Sequence, residues 1–495
     1  MRTIYPNKLN LANEEGRNSI RFDAMRISTV IENHDSKLQK IIDSQRKFQR
    51  SGVPLEKDFR RSALKTLKFM VSENEDKLIQ ALNDDLSKSE SEAFITEISI
   101  VYQEIDNALK NLNKWMAPRK VPPTSANIPS KNYILPEPYG IVAILSPWNY
   151  PVNLALAPLV GALAAGNSVI LKTSRSSVQT SELLRDLITK YFPIEVVYAV
   201  DPAIDYDELL EPRYDYIFFT GSTEAARNVM AKAAKHLTPV SLELGGQCPC
   251  IVDSKANVKL AAKRIMWGKF LNAGQTCISI NHIWVHKSVE KDFVNAMLNE
   301  MLENYRNAVN DPDYPKIISE EHFDRLSDLL DDSLSNKERL VIGGSRNKEN
   351  QKISPSLIIH ADLSDKVMER EIFGPILPIL SFDDLNKLQK YMLKIEKPLA
   401  CYFFSEDINK ASSFMNSVSY GGGCINDVLM HVSNHHLPFG GIGNSGMGAY
   451  HGKYSFDTFT HYKPVVSTST LVDLPFRYPK FAKKNLPIIK KFLKI

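Results

Sequence analysis

One cysteine in a polar loop is the residue of this sequence best suited to covalent chemistry. Cys277 ends the segment NAGQTC at 272–277, whose glycine lets the loop bring the sulfur close to a bound molecule. A thiol ionises near neutral pH, and its thiolate is a strong nucleophile. Three other cysteines lie in apolar surroundings, where this residue is typically a small buried hydrophobic side chain: Cys250, Cys401 and Cys424. Cys277 is therefore the candidate nucleophile.

Three further segments place polar residues after predicted strands or in loops. They read PWNYP at 147–151, SLELGG at 241–246 and EIFGP at 371–375. Asn149 follows a strand and can donate its amide to a developing oxyanion, although asparagine is also a common turn residue. Glu243 lies at an apolar strand end, where desolvation raises the pKa of a carboxyl group and makes it a base. The alternative for Glu243 is an exposed charge at the end of a strand.

In this order the four segments resemble those of the aldehyde dehydrogenase superfamily. The segment LPFGGIGNSGMGAYHGK at 437–453 is similar to the class 3 branch, the fatty and aromatic aldehyde dehydrogenases. The resemblance covers roughly residues 38–465. It implies a Rossmann-like cofactor domain, an α/β catalytic domain and a small bridging β-hairpin used in oligomerisation. It also implies the oxidation of medium- or long-chain aliphatic or aromatic aldehydes to carboxylic acids.

The resemblance gives each of three residues a role in that reaction. Cys277 attacks the aldehyde to form a thiohemiacetal, and a thioester remains once hydride has left. Asn149 and the backbone N–H of Cys277 hold the oxyanion, and loss of one such donor costs roughly 10²–10³ in rate. Glu243 is the general base that activates water to cleave the thioester.

Two other classes of protein remain open on the same fold. A coenzyme-A-acylating aldehyde dehydrogenase transfers the acyl group instead of hydrolysing it, and the presence of Glu243 argues against this. A catalytically idle scaffold is disfavoured by the intact segments, although Arg175 and Gln247 depart from the family pattern. Aldehyde-dependent production of NAD(P)H, lost in Cys277→Ser, separates the three.

The resemblance implies NAD or NADP as the cofactor. Thr220, Gly221 and Ser222 end an apolar strand and open a helix, and a helix N-terminus can bind a pyrophosphate through free N–H groups. A literal GxGxxG at 441–446 does not fit a dinucleotide site, because no strand precedes it and no helix follows it.

Further cofactor contacts follow from the family's pattern. Trp148 lies next to Asn149, and Glu371 resembles the residue that holds the nicotinamide ribose, with Phe373 beside the ring. Lys172 matches a lysine that contacts the adenosine ribose. Arg175 stands where the family usually has a glutamate that repels a 2′-phosphate. Lysine and arginine together suit a phosphate, so NADP is expected to be accepted; the alternative is that Arg175 is an ordinary solvent-facing residue.

The elements that must position these residues alternate in type. Apolar strands at 141–145, 168–171, 196–200 and 214–219 are separated by helical stretches, which predicts a parallel sheet covered on both faces. The predicted divisions are a polar N-terminal extension at 1–36; a cofactor-binding domain at 37–120 and 139–242; a bridging and oligomerisation element at 121–138 and 455–470; a catalytic domain at 243–454; and a basic, apolar tail at 471–495.

Composition narrows the partners and the compartment. Lysine and arginine number 61 against 57 aspartates and glutamates, with the positive excess at the two ends, which does not fit a nucleic-acid-binding domain. Five cysteines in 495 residues predict a reduced, intracellular and cytoplasmic protein, and their spacing predicts no metal site. We expect a homodimer. The tail at 473–495 interleaves lysines with apolar residues, which predicts peripheral contact with a membrane, or else packing on its own enzyme.

Overall fold

The computed structural model describes residues 37–493, so the extension predicted at 1–36 lies outside the described residues. Amphipathic sequences give five helices at the start, with a π-helical turn, Phe94–Ile98, before the last: α1 (Lys37–Arg50), α2 (Lys57–Glu73), α3 (Glu75–Leu86), α4 (Glu90–Ala93) and α5 (Ser99–Met116). Two strands of a later sheet follow: β1 (Arg119–Val121) and β2 (Ser130–Pro138). π-Helical turns occur frequently at functional sites.

A parallel sheet follows, built from strands that are buried along almost their whole length. Its strands are β3 (Ile141–Leu145), β4 (Ser168–Lys172), β5 (Val197–Ala199), β6 (Tyr216–Thr220) and β7 (Val240–Glu243). The helices between them are α6 (Asn153–Ala165), α7 (Val178–Tyr191), α8 (Tyr206–Leu210) and α9 (Thr223–Ala234). The order β7-β6-β3-β4-β5 is parallel throughout. This confirms the doubly covered α/β sheet, and every residue of α6 is buried against it.

A second, seven-stranded sheet lies in the following part of the chain. Its strands are β8 (Pro249–Val252), β9 (His282–His286), β10 (Leu340–Gly343), β13 (Ser356–Ile359), β14 (Ile376–Phe382), β15 (Ala400–Phe404) and β16 (Gly422–Ile425). A separate small pair consists of β11 (Arg346–Asn347) and β12 (Lys352–Ile353). The order of the large sheet is β10-β13-β14-β9-β8-β15-β16, with only β10 antiparallel. Its helices are α10 (Val258–Phe270), α11 (Glu290–Asn304), α12 (Glu320–Ser335), α13 (Leu385–Met392) and α14 (Ile408–Ser417).

The C-terminal segments return to the first half of the molecule. β17 (Gly446–Met447) pairs antiparallel with β7, although 243–454 was predicted as one catalytic domain. α15 (Lys453–Thr458) packs on α6, so the segment predicted as a bridging element at 455–470 begins with a helical turn. β18 (Thr460–Thr468) pairs with β2 along its whole length, which gives the sheet β1-β2-β18. These differences arise because short segments were placed by tertiary pairing, which sequence periodicity does not record.

The tail forms two short helices, α16 (Pro479–Lys484) and α17 (Leu486–Leu493). Within residues 37–493, no helix is long and apolar enough to cross a membrane.

Candidate active site

The loop that carries Cys277 has an unusual backbone. It follows α10, and three consecutive residues, Asn272, Ala273 and Gly274, have φ values of 51°, 50° and 75°. Side chains other than glycine adopt this left-handed region at an energetic cost, and such strain is maintained only when the surroundings impose it. One restraint is visible, since the backbone N–H of Asn272 donates to the carboxylate of Glu92 at 2.8 Å. The loop is thus held in place from outside.

The turn after β3 lies directly against this loop. Asn149 is 3% exposed, and its Nδ2 donates to the carbonyl oxygen of Gln275 at 3.0 Å. The hydroxyl of Tyr150 lies 2.5 Å from that of Thr276. These two contacts join the turn to the two residues that precede Cys277. The structure therefore brings the predicted oxyanion donor and the predicted nucleophile together, although they are far apart in the sequence.

Glu243 ends β7, and its carboxylate lies inside the protein. The residue is 2% exposed, and within the described part of the chain neither carboxylate oxygen has a hydrogen-bond partner. Burial raises the pKa of Glu243 well above its ordinary value of 4.5. A buried, unpaired carboxyl group of this kind holds its proton more tightly than an exposed one, as a general base must.

Cys277 is less ready to ionise than the sequence alone suggested. Burial is the main cause that raises the pKa of its thiol, and the negative charges of Glu371, Cys248 and Glu243 raise it further. Ionisation of the Cys277 thiol is therefore disfavoured in this site, and the negative charge of Glu243 contributes to that effect.

A buried ion pair behind the turn was missed by the sequence analysis. The ammonium of Lys88 lies 2.6 Å from Oε1 of Glu97, and both side chains are fully buried. Lys88 also donates to the carbonyl oxygen of Asn149 at 2.9 Å. The other oxygen of Glu97 accepts from the backbone N–H groups of Val152 and Asn153 at 3.0 and 2.9 Å.

The sequence did contain a signal for this pair. Glu97 falls on the apolar stripe of the helical region, four residues before the buried Val101 and seven before Glu104. Charged residues are almost never fully buried without a partner. A glutamate on a buried stripe therefore predicts an ion pair, but not which lysine supplies it.

Residues predicted to hold the cofactor follow strands of the first sheet, at the edge where ligands of parallel sheets bind in a crevice. The chain leaves β3 toward β4 and β5, then returns to β6 and β7 on its other side, and ligands of such sheets bind at this switch point. Ser222 caps α9 by accepting from the N–H of Ala225 at 3.2 Å. A Cβ at Gly221 would press on the ring of Phe219, so the glycine is needed for a close approach. This geometry fits a dinucleotide phosphate at the N-terminus of α9.

Lys172 and Arg175 form a second part of the crevice, at the end of β4. Burial, followed by the positive charge of Arg175, lowers the pKa of Lys172 to about 8. The Lys172 ammonium donates to the carbonyl oxygen of Thr173 at 3.0 Å and lies 5.2 Å from the centre of the Tyr206 ring. The two cations are close enough to affect each other, and among residues 37–493 neither forms a salt bridge with a carboxylate, an arrangement that suits an anionic group.

Glu371 and the aromatic residues lie at the boundary of the two sheets. The carboxylate of Glu371 fills the space beside Gly245, where a Cβ would collide with it. Burial raises the pKa of Glu371 to about 7, although Lys269 and Arg325 act in the opposite sense. The rings of Trp148 and Phe373 pack edge to face with centres 5.4 Å apart.

Comparison with known proteins places the chain in context. The profile of the Aldehyde dehydrogenase family matches residues 17–465. The chain is 40% identical over 458 residues to 4,4'-diaponeurosporen-aldehyde dehydrogenase of Staphylococcus aureus, which covers 92% of this chain and 99% of that protein. It is also 40% identical over 442 residues to Aldehyde dehydrogenase family 3 member H1 of Arabidopsis thaliana, covering 89% of this chain and 91% of that protein.

The fold agrees with a solved structure as well. Staphylococcus aureus AldH in a substrate-bound state superposes with a TM-score of 0.90 at 39% identity, covering 92% of this chain and 100% of that one. The similarity extends over nearly the whole described chain, so both sheets and the bridging strands belong to the shared architecture.

Proposed function

The chain belongs to the aldehyde dehydrogenase family, and from this premise we propose that Cys277, Asn149 and Glu243 convert a bound aldehyde to a free carboxylic acid. The assignment rests on a hydrogen bond between the turn and the loop that ends in Cys277. Nδ2 of Asn149 donates to the carbonyl oxygen of Gln275 at 3.0 Å. Because Gln275 lies two residues before Cys277, this contact supports a role for the Asn149 amide near the sulfur.

Each of these side chains has a defined task. Glu243, when ionised, takes the proton of the Cys277 thiol, and the thiolate attacks the carbonyl carbon. The amide of Asn149 and the backbone N–H of Cys277 donate to the oxyanion that forms, an interaction stronger in the transition state than in the substrate. Glu243 then releases the thiol proton to solvent and is again a carboxylate. After oxidation it takes a proton from water, the resulting hydroxide attacks the thioester carbonyl, and the acid is released as Cys277 leaves as the thiolate.

NAD or NADP, when bound, supplies the oxidising power by accepting hydride. The N-terminus of α9, with Thr220, Gly221 and Ser222, would hold the pyrophosphate, and Lys172 and Arg175 the adenosine ribose. Glu371 would orient the nicotinamide ribose, with Trp148 and Phe373 close to the ring.

The substrate we propose is a medium- or long-chain aliphatic aldehyde, or an aromatic one. A cavity of about 350 Å³ beside the catalytic loop is lined in part by Ile95, Trp267 and Leu271. Glu92, in the same wall, binds the N–H of Asn272 at 2.8 Å, so the cavity adjoins the loop of the nucleophile. The lining also includes Glu92, Asp311 and Asp313, so the proposal of an apolar substrate rests on the resemblance to the class 3 branch.

Initial rates of NAD(P)H formation with aldehydes of increasing chain length test this function. Wild type should respond to aldehyde without coenzyme A, and Cys277→Ser should lose roughly 10⁵-fold or more, because serine is a far weaker nucleophile here. Trp267→Ala should raise KM for long aldehydes more than for short ones. A requirement for coenzyme A, or unchanged activity in Cys277→Ser, would refute the assignment.

We further propose that the enzyme accepts NADP. The unbalanced positive charge of Lys172 and Arg175 supports this preference. Arg175→Glu should shift the ratio of kcat/KM for NADP to that for NAD by about 10- to 100-fold toward NAD, because a favourable phosphate contact becomes a repulsive one. A strong preference for NAD that the substitution leaves unchanged would remove Arg175 from the site.

Assembly and location are proposed from the remaining surfaces. β18 is the edge of its sheet, and exposed edge strands pair readily with another chain, which supports a homodimer. All five cysteines are free, which supports a cytoplasmic location. In α17, Leu486 and Ile488 are 49% and 65% exposed beside Lys490 and Lys491, and we propose that residues 473–495 contact an anionic membrane, where each lysine contributes about 1 kcal/mol.

Two measurements address these surfaces. Light scattering after gel filtration gives the mass, and a monomer would exclude the homodimer. Co-sedimentation with phosphatidylserine vesicles should retain the full-length protein and release a 1–472 truncation. Equal pelleting of the two proteins would show that the tail packs elsewhere.

A further inference from the structure

The ion pair of Lys88 and Glu97 is fully buried, and stability alone does not account for it. Both side chains are 0% exposed, and their charged atoms lie 2.6 Å apart. Removing two charges from water costs several kcal/mol per ion, and the attraction between them often only compensates for this. A buried pair is therefore weak evidence for stability, and its other contacts indicate what it does.

Those contacts all converge on one turn. Lys88 donates to the carbonyl oxygen of Asn149 at 2.9 Å, and its ammonium lies 4.0 Å from the centre of the Tyr150 ring. Glu97 binds the two backbone N–H groups of Val152 and Asn153. The pair therefore forms hydrogen bonds to the turn that carries the proposed oxyanion donor, both at Asn149 and at the residues that follow Tyr150 and Pro151.

The nucleophile loop shares the same anchor. Nδ2 of Asn272 donates to the carbonyl oxygen of Asn149 at 2.8 Å and to that of Gln275 at 3.2 Å. The Asn149 carbonyl therefore receives one donor from Lys88 and one from the loop that ends in Cys277. The side-chain amide of Asn149 in turn donates to the carbonyl oxygen of Gln275 at 3.0 Å.

We propose that Lys88 and Glu97 form a positioning pair, which fixes the amide of Asn149 at the place where the oxyanion develops. The inference rests on the proposed function, because it assigns Asn149 as the donor. A donor assists only when it is held in advance at hydrogen-bond distance from the oxyanion, and a misplacement of about 1 Å can reduce the rate roughly 10²-fold. The pair touches neither substrate nor cofactor and acts through Asn149.

The test compares two reactions of the same sulfur. Acylation of Cys277 by p-nitrophenyl acetate passes through an oxyanion, whereas alkylation by iodoacetamide does not. The variant is Lys88→Met/Glu97→Gln, which removes both charges together and so avoids an unpaired buried ion. The matched control is Lys68→Met/Asp106→Asn, an exposed pair with charged atoms 2.5 Å apart. Neither reaction uses the cofactor.

The expected result is a selective loss. Acylation should fall about 10- to 100-fold in the buried-pair variant, while alkylation of Cys277, followed by mass spectrometry, should stay within about threefold. In an Asn149→Ala background, the same substitutions should cost less than about threefold in acylation, because the donor they position is already gone. The control variant should behave as wild type in both reactions.

Three outcomes would overturn the proposal. Equal losses in acylation and alkylation would show general damage to the site, and an unchanged loss in the Asn149→Ala background would show that the pair does not act through that amide. Unaltered acylation would show that the pair positions nothing. If the double variant fails to fold, Lys88→Arg, which keeps the charge but displaces the donor, must show the same selective loss. A wild type that makes no NAD(P)H from aldehyde would contradict the proposed function instead.

Discussion

Two buried glutamates near the Cys277 loop, Glu97 and Glu243, differ in whether their carboxylates have hydrogen-bond partners. Behind the loop, Lys88, Glu97 and the carbonyl oxygen of Asn149 are joined by hydrogen bonds of 2.6 to 2.9 Å. In front of it, Glu243 is 2% exposed, yet both of its carboxylate oxygens lack a partner among the described residues. Burial alone therefore does not distinguish the two glutamates; their partners do.

This difference separates positioning from reaction. A carboxylate with an ammonium and two N–H groups around it is held in one place, although burial raises the pKa of Glu97 above its ordinary value. An unpaired carboxylate costs stability, because it has lost water without gaining donors, but it remains free to accept a proton. Sites that sacrifice stability for activity in this way are common in enzymes.

The largest effect should come from the unpaired glutamate. In Glu243→Gln, steady-state turnover should fall roughly 10²–10⁴-fold, the usual contribution of a general base. Stopped-flow absorbance should still show NAD(P)H formed in the first turnover if another group or solvent accepts the thiol proton, with the thioester then accumulating. Loss of the first turnover to the same extent as the steady state would mean that Glu243 is needed chiefly to ionise Cys277. Unchanged turnover would end its assignment as the base.

Replacing each glutamate with glutamine should have opposite effects on the free energy of unfolding. Glu97→Gln leaves the Lys88 ammonium buried without a counter-charge, and we expect the free energy of unfolding to fall by about 3–5 kcal/mol. Glu243→Gln replaces an unpaired buried carboxyl with a neutral group of the same shape, so it should unfold at the same or a higher denaturant concentration. Urea midpoints of the two variants measure this, and a less stable Glu243→Gln would reverse the distinction.

A smaller effect should appear in the dependence on pH. The pKa of Glu243 is raised and the base acts when ionised, so turnover should increase with pH up to that pKa, about tenfold per unit on the acid side. Because the folded protein binds this proton more tightly than the unfolded chain, stability is greatest below pH 4.5 with respect to this group and declines as pH rises through the folded pKa. Glu371→Gln is the control, since the pKa of Glu371 is about 7. An acid limb that vanishes only in that variant would transfer the base role to Glu371.

Much of the fold was accessible from the sequence because it depends on local patterns. The apolar strands β3, β4 and β6 could be read from consecutive hydrophobic residues, and parallel strands bring the residues after them to one edge. That is why Asn149 and Glu243 were found at all. The site assignments themselves remain predictions for the variants above to test.

The remaining features depend on contacts that no local pattern records. Lys88 meets Asn149 across 61 positions of sequence, and nothing near Lys88 indicates that it is buried. The raised pKa of the Cys277 thiol was missed for the same reason, since its causes are burial and three distant neighbours. Two-residue β17 is too short for any periodicity, and its pairing with β7 is visible only in the folded chain.

That pairing bears on how the protein is made. Gly446 lies opposite Glu243 at the edge of the first sheet, and a Cβ on this glycine would strike the carbonyl oxygen of Leu242. Contacts between residues so distant along the chain form late, because the intervening loop must be ordered first. On the ribosome, a nascent chain that has folded β3 to β7 still lacks β17, the strand that pairs beside Glu243. Assembly of the active site is thus deferred until both halves of the molecule have been synthesised.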